Sequence, residues 1–208
     1  MKKRRISKLC KTIIATSLFF CMTLPVVAAD NTNASNNKDV SVVITTTKEE
    51  RDKQFEAIME KIIASYDIQE NARGPKYKYK TEYFPYMYKT VGGYAGNQVA
   101  GGYKFSTGGG FYFSDSGGPD VTGSINLSLP APFDSVSFSI NLGKKASSGL
   151  FVTVPDTTNY YKLWVNKTME LRPYVTYRAR VGTEDWEIWT SSAVPIVYLV
   201  NPYARKVQ

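Results

Sequence analysis

Between positions 135 and 142 the chain alternates without a fault: Val136, Phe138, Ile140 and Leu142 fall on one side of an extended backbone, and Ser135, Ser137, Ser139 and Asn141 on the other. A period of two describes a strand with one buried face and excludes a helix, around which these apolar residues would scatter. Ile125, Leu127 and Leu129 repeat the pattern over 124–129, and the Pro-Ala-Pro-Phe-Asp segment at 130–134 is a short link suited to antiparallel neighbours. Further runs at 150–154, 160–165, 174–181, 186–191 and 196–200, divided by turn-forming clusters such as 155–159, predict a mainly β domain over 75–208. Strands and turns at this spacing imply an antiparallel β-sandwich or an open barrel. The 15 tyrosines and 13% aromatic content suit that class, because flat rings pack well on a pleated surface.

One segment has a different period. Phe55, Ile58, Met59, Ile62, Ile63 and Tyr66 recur at three- and four-residue steps and form one stripe of an amphipathic α-helix, assigned to 47–74. Thr47 with Glu50 makes a capping box, and Glu49, Glu50 and Asp52 place acids at the positive end of the helix dipole. Asn71, Gly74 and Pro75 end it. The stripe is expected to pack on the β-domain, since the opposite face mixes Glu56 and Glu60 with Lys53 and Lys61 and offers little attraction for anionic lipid.

The start of the chain reads as a secretory signal peptide, 1–29. Six of the 26 Lys+Arg lie within the first eleven residues, an apolar run covers 12–24, and Val27 and Ala29 are small residues suited to peptidase recognition. The competing reading is a retained anchor, because 12–29 is close to the shortest length that spans a bilayer, about 17 residues. Cleavage after Ala29 leaves a nearly charge-balanced mature chain with no stable membrane span, so the overall basicity argues for no nucleic-acid partner. Both cysteines, Cys10 and Cys21, fall inside the signal, and the mature chain then folds without disulfides. Residues 30–46 begin with a polar tract and read as a linker, with 40–44 open to a short strand.

The hairpin near the carboxyl terminus can be paired residue by residue. With Gly182-Thr183-Glu184-Asp185 as its loop, Val181 faces Trp186, Arg180 faces Glu187, Ala179 faces Ile188 and Arg178 faces Trp189. Arg178 then lies over an indole, a contact worth about 0.5–1 kcal/mol when exposed.

The region 76–116 holds the candidate binding residues. In Lys76-Tyr77-Lys78-Tyr79-Lys80 an extended backbone separates lysines from tyrosines, presenting cations on one side and rings on the other. Such a surface suits an anionic cell-wall polymer or a glycan; lysine-rich edges also serve simply to prevent strand-to-strand aggregation. Eleven glycines between Gly92 and Gly123 favour turns and long loops there over continuous strands.

Catalytic chemistry has few groups to draw on. Residues 114–119, Ser-Asp-Ser-Gly-Gly-Pro, resemble the nucleophile segment of chymotrypsin-like proteases, but the chain contains no histidine to take a serine proton. Gly143-Lys144-Lys145-Ala146 lacks the spacing and hydroxyl of a phosphate loop, so no cofactor is expected. Without His, and with no Cys in the mature chain, no zinc or copper site is expected. A carboxylate-based hydrolase would have to use acids such as Asp115, Asp120, Glu184, Asp185 and Glu187, all in turns or at a hairpin.

Over 125–207 the runs SVSFSINLGK, FVTVP, PDTTNYYKLWVNKT and RPYVTYRARVG resemble small secreted β-rich proteins of Gram-positive bacteria that have no assigned activity. The resemblance implies export and a β-domain and transfers no active site. The favoured function is a secreted, non-enzymatic, extracellular or wall-associated binding module. The competing class is a membrane-active antibacterial or toxin-like effector using a hairpin at 103–115, whose arms fall short of the about 9–11 residues a spanning strand requires.

Overall fold

The computed structural model describes residues 43–70, 76–116, 121–129, 133 and 135–207. The signal segment, most of the linker, the expected helix end at 71–74, Asp120 and most of the 130–134 link lie outside the described residues. Residue contacts divide the chain into Met1–Asn31 and Thr32–Gln208, and every described residue belongs to the second unit.

The fold is mainly β, with several antiparallel sheets, none of them closed, and one helix. In chain order the elements are β1 (Ile44–Thr45), α1 (Lys48–Glu70), β2 (Tyr77–Tyr83), β3 (Met87–Tyr94), β4 (Tyr103–Lys104), β5 (Gly110–Ser114), β6 (Thr122–Leu127), β7 (Val136–Asn141), β8 (Lys144–Ala146), β9 (Leu150–Thr153), β10 (Tyr160–Arg180) and β11 (Glu187–Lys206). The main sheet runs β1-β11-β10-β2, and β3 and β4 also pair with β10. A second sheet is β8-β5-β9 and a third is β6-β7.

Alternation along β10 explains the layers. Leu163, Val165, Met169 and Leu171 are all buried on its inner face. Leu163 and Val165 pack with Phe111, Phe113 and Val152 of the second sheet. Met169 and Leu171 pack with Ile125, Leu127 and Ile140 of the third. The outer face of the main sheet meets α1, where Met59 joins Tyr174, Val194 and Ile196. Thr47 caps the helix as expected: its Oγ1 accepts from the Glu50 N–H at 3.2 Å and its own N–H donates to Glu50 Oε2 at 2.8 Å. Met59 and Tyr66 of the predicted stripe are buried, whereas Ile63 is 40% exposed.

Two corrections concern continuity. The runs at 160–165 and 174–181 are one 21-residue strand, β10, and those at 186–191 and 196–200 are one 20-residue strand, β11. Prolines suggested breaks that the topology tolerates. The Phe84 N–H donates to the Pro173 carbonyl at 3.0 Å, so the side of β10 on which Pro173 lacks a donor faces the gap between β2 and β3. Pro195 and Pro202 pair with β10 from β11, whose other side carries only the two-residue β1, and an edge tolerates a missing donor. The glycine-rich region likewise contains β3 and β5 as strands.

The carboxyl-terminal hairpin also differs in register. Residues 181–186 all lie in the connection, so Arg178 pairs with Glu187 and Tyr177 with Ile188. Trp189 is the extra residue of a bulge between Tyr177 and Thr176, and Tyr198 is that of a second between Met169 and Thr168. The first bulge keeps the predicted Arg178–Trp189 contact, at 4.0 Å from the ring centre.

Close sheet packing accounts for Gly110. A Cβ there would sit 2.0 Å from the Val152 carbonyl oxygen, a backbone atom of the neighbouring strand. Gly110→Ala is therefore expected to cost about 1–3 kcal/mol, as overpacking does, read as a lowered thermal midpoint. An unchanged midpoint would show that the two strands separate freely.

Candidate functional site

The strand β2 gives Lys76 to Lys80 the expected alternation. Tyr77 and Tyr79 stand opposite Arg180 and Arg178 on the outer face, and Lys78 and Lys80 opposite Ala179 and Tyr177 on the inner one. Most of these side chains have partners within the fold. Lys78 is ion-paired with Glu184 and lies 5.2 Å from the Trp186 ring centre, and Lys80 reaches Glu82 at 2.7 Å. Arg178 covers the Tyr77 ring at 4.7 Å, while Tyr79 touches Tyr66 of α1 and Trp189. Lys76 is exposed, with no ion pair among the described residues. The five residues are thus neighbours, but chiefly bind the hairpin and helix to the sheet.

The candidate acids are similarly engaged. Glu187 accepts from Arg178 Nε at 2.6 Å, and Asp115 pairs with the buried Lys167, which also donates to the Asn141 carbonyl at 2.6 Å. Among the described residues no group of three or more His, Cys, Asp or Glu is placed to hold a metal ion.

Periodicity did not reveal a buried charge cluster beneath the helix. Glu170, 1% exposed, accepts from Arg51 Nε at 2.7 Å, Arg172 Nε at 2.6 Å and the Tyr88 hydroxyl at 3.1 Å. Arg172 also reaches Asp52 at 2.5 Å, and Arg51 donates to the Thr46 carbonyl and lies 4.9 Å from the Tyr198 ring centre. Burial pushes the Glu170 carboxyl up, but the hydrogen bonds and charges of Arg172 and Arg51 outweigh it and hold it below its usual value. A carboxyl depressed on folding contributes stability above its unfolded pKa and loses that contribution as pH falls through the folded value. The clamp should therefore survive at about pH 5 and open only in more acidic solution. Loss of the near-ultraviolet circular dichroism signal already at mildly acidic pH would contradict this.

The half of the outer face beyond α1 has a different surface. Trp164 of β10 stands between Tyr94 of β3 and Tyr203 of β11, and one step along, Asn166 stands between Gly92 and Asn201. Tyr94 meets the indole edge-on at 4.9 Å. Lys162 lies 4.3 Å from the Tyr94 ring centre and Arg205 lies 4.2 Å from that of Trp164, giving a ladder of cation, ring, ring and cation. The indole Nε1–H donates to Asn166 Oδ1 at 2.9 Å. Gly92 makes this arrangement possible, since a Cβ there would lie 2.4 Å from Asn166 Oδ1 and 3.1 Å from the indole nitrogen. Tyr160, 53% exposed, and Lys104 pair at the same end of the sheet.

No protein-family model matches this chain, and comparison with curated proteins and with solved structures finds no match.

The ladder left a partial trace in the sequence. The order Tyr160, Lys162, Trp164, Asn166 is a polar and aromatic alternation, but which residues of β3 and β11 lie beside it depends on pairings between segments about 70 and 40 residues away.

Proposed function

We propose that this protein is an exported, non-catalytic binding module retained at the cell wall by an anionic polymer or glycan. The observation that supports the reading is the distribution of its ion pairs. Glu82, Asp115, Glu170, Glu184 and Glu187 are each held by a cation of the same domain. Lys76, Lys104, Lys162 and Arg205 have no such acid among the described residues. From Arg73 onward there are 15 Lys+Arg against 9 Asp+Glu, so the excess of cations lies in the β-domain. Exposed charges are screened beyond a Debye length of about 8 Å at physiological salt, and retention through them fades as salt rises.

Sedimentation of the secreted protein with purified walls, across a salt series, is the test. Retention at low salt and release at moderate salt are expected, with Arg178→Gln unchanged because that arginine serves Glu187 and two rings. Failure to sediment at any salt would reject the reading. Intact mass of the secreted material should correspond to a chain starting at Asp30, and a product keeping Met1 in the membrane fraction would instead indicate an anchor.

The membrane-active reading draws less support. β4 has two residues and β5 five, far from the about 9–11 needed to span. The longer β10 carries Lys162, Glu170, Arg172 and Arg178 on the face opposite its apolar one. Dye release from liposomes would overturn this preference.

A further inference from the structure

Building on the wall-binding reading, we infer that the open half of the outer sheet face is the binding surface, and that its occupant is a wall polymer of sugars carrying phosphate groups. Lys162 and Arg205 are directly opposite each other across β10 and β11. Like charges so placed repel, and elsewhere in this domain cations find acids: Arg178 has Glu187, Lys167 has Asp115, and Arg172 has Glu170 and Asp52. At the Lys162–Arg205 position no described carboxylate reaches either cation, and each rests on a ring instead. An anion set between them would turn repulsion into two charge-assisted hydrogen bonds. The guanidinium offers a planar fork and the ammonium a point charge from the opposite strand, so the two donors approach from different directions. A tetrahedral phosphate presents oxygens in both directions, whereas the two oxygens of a carboxylate share one plane.

The rest of the surface suits the sugars between phosphates. The rings of Trp164, Tyr94 and Tyr203 lie in one row and are partly exposed, offering apolar bodies to sugar faces. Beside them Asn166 uses its oxygen for the indole and has amide hydrogens to donate, and Asn201 Oδ1 accepts no hydrogen bond within the protein. The cations, rings and amides occupy neighbouring strands of one pleated face, so a linear polymer can cross β3, β10 and β11 without a cleft.

The experiment uses the full secreted chain and its Lys162→Gln/Arg205→Gln double variant. Binding is measured to walls with their phosphate polymer intact and to walls stripped of it with hydrofluoric acid. The parent should bind intact walls about tenfold or more tightly than stripped walls. The double variant should lose about tenfold in affinity for intact walls, yet melt at or above the parent's temperature, because a repelling pair has been removed. Exchange of Lys76, Lys78 and Lys80 for glutamine should change affinity far less. Equal binding of intact walls by parent and double variant would reject this surface while leaving the wall-binding reading in place. Equal binding of the parent to intact and stripped walls would reject the phosphate assignment. No binding of the parent to either would reject the wall-binding reading and this inference with it.

Discussion

Replacing Glu170 with alanine is expected to lower stability by about 3–5 kcal/mol, the usual consequence of removing one member of a buried ion pair. The carboxylate is the only described acid that meets both Arg51 and Arg172. Without it Arg51, 6% exposed, keeps a carbonyl and a ring but no counter-charge. Against a total of about 5–15 kcal/mol such a loss should be plain in a denaturant titration. Glu170→Gln, of the same size, should recover only part of it, because an amide bonds but does not neutralise. A shift of less than about 1 kcal/mol for the alanine variant, the size of a surface ion pair, would mean that water reaches the clamp.

A chain beginning at Gly74 is expected to stay folded but to denature at markedly lower concentration of denaturant. Met59 and Tyr66 are buried on the sheet, and each contributes about 1.5–3 kcal/mol through removal of apolar surface from water. The same truncation removes Arg51 from Glu170 and Asp52 from Arg172, adding a polar loss to the apolar one. The two inner clusters contain no residue of α1, which is why the domain should persist. An unchanged midpoint would mean that the helix has its main partner elsewhere.

The strand class and the helix were legible because they depend on local period. Val136, Phe138 and Ile140 read as a strand face, and Phe55, Met59 and Tyr66 as a helix stripe, before any partner was known. Breaks in β10 and β11 were wrongly expected, since Pro173 interrupts hydrogen bonding only when a partner lies on its bare side, and here none does. The buried Lys167 and Glu170 misled in the same way: a charge in an apolar run reads as a surface until Asp115 or Arg51 is known to meet it. Arg51 lies one helical turn before Phe55 and so extends the stripe, yet nothing local distinguishes a buried arginine from an exposed one. The lysine and tyrosine alternation at 76–80 was correctly extended, but the partners that occupy those side chains come from α1, β10 and the hairpin about 100 residues on.

The order in which the chain emerges during synthesis has a bearing on export. β2, β3 and β4 pair only with β10, and β1 pairs only with β11. The Thr46 hydroxyl donates to the Val197 carbonyl at 2.6 Å across 151 positions of sequence. Until the last fifty or so residues exist, the amino-terminal third has no sheet to join, and contacts of such separation form slowly. A nascent chain of this design stays extensible for as long as it is being made. A secretion channel that threads unfolded polypeptide would receive it in the state it requires, with folding completed only on the far side.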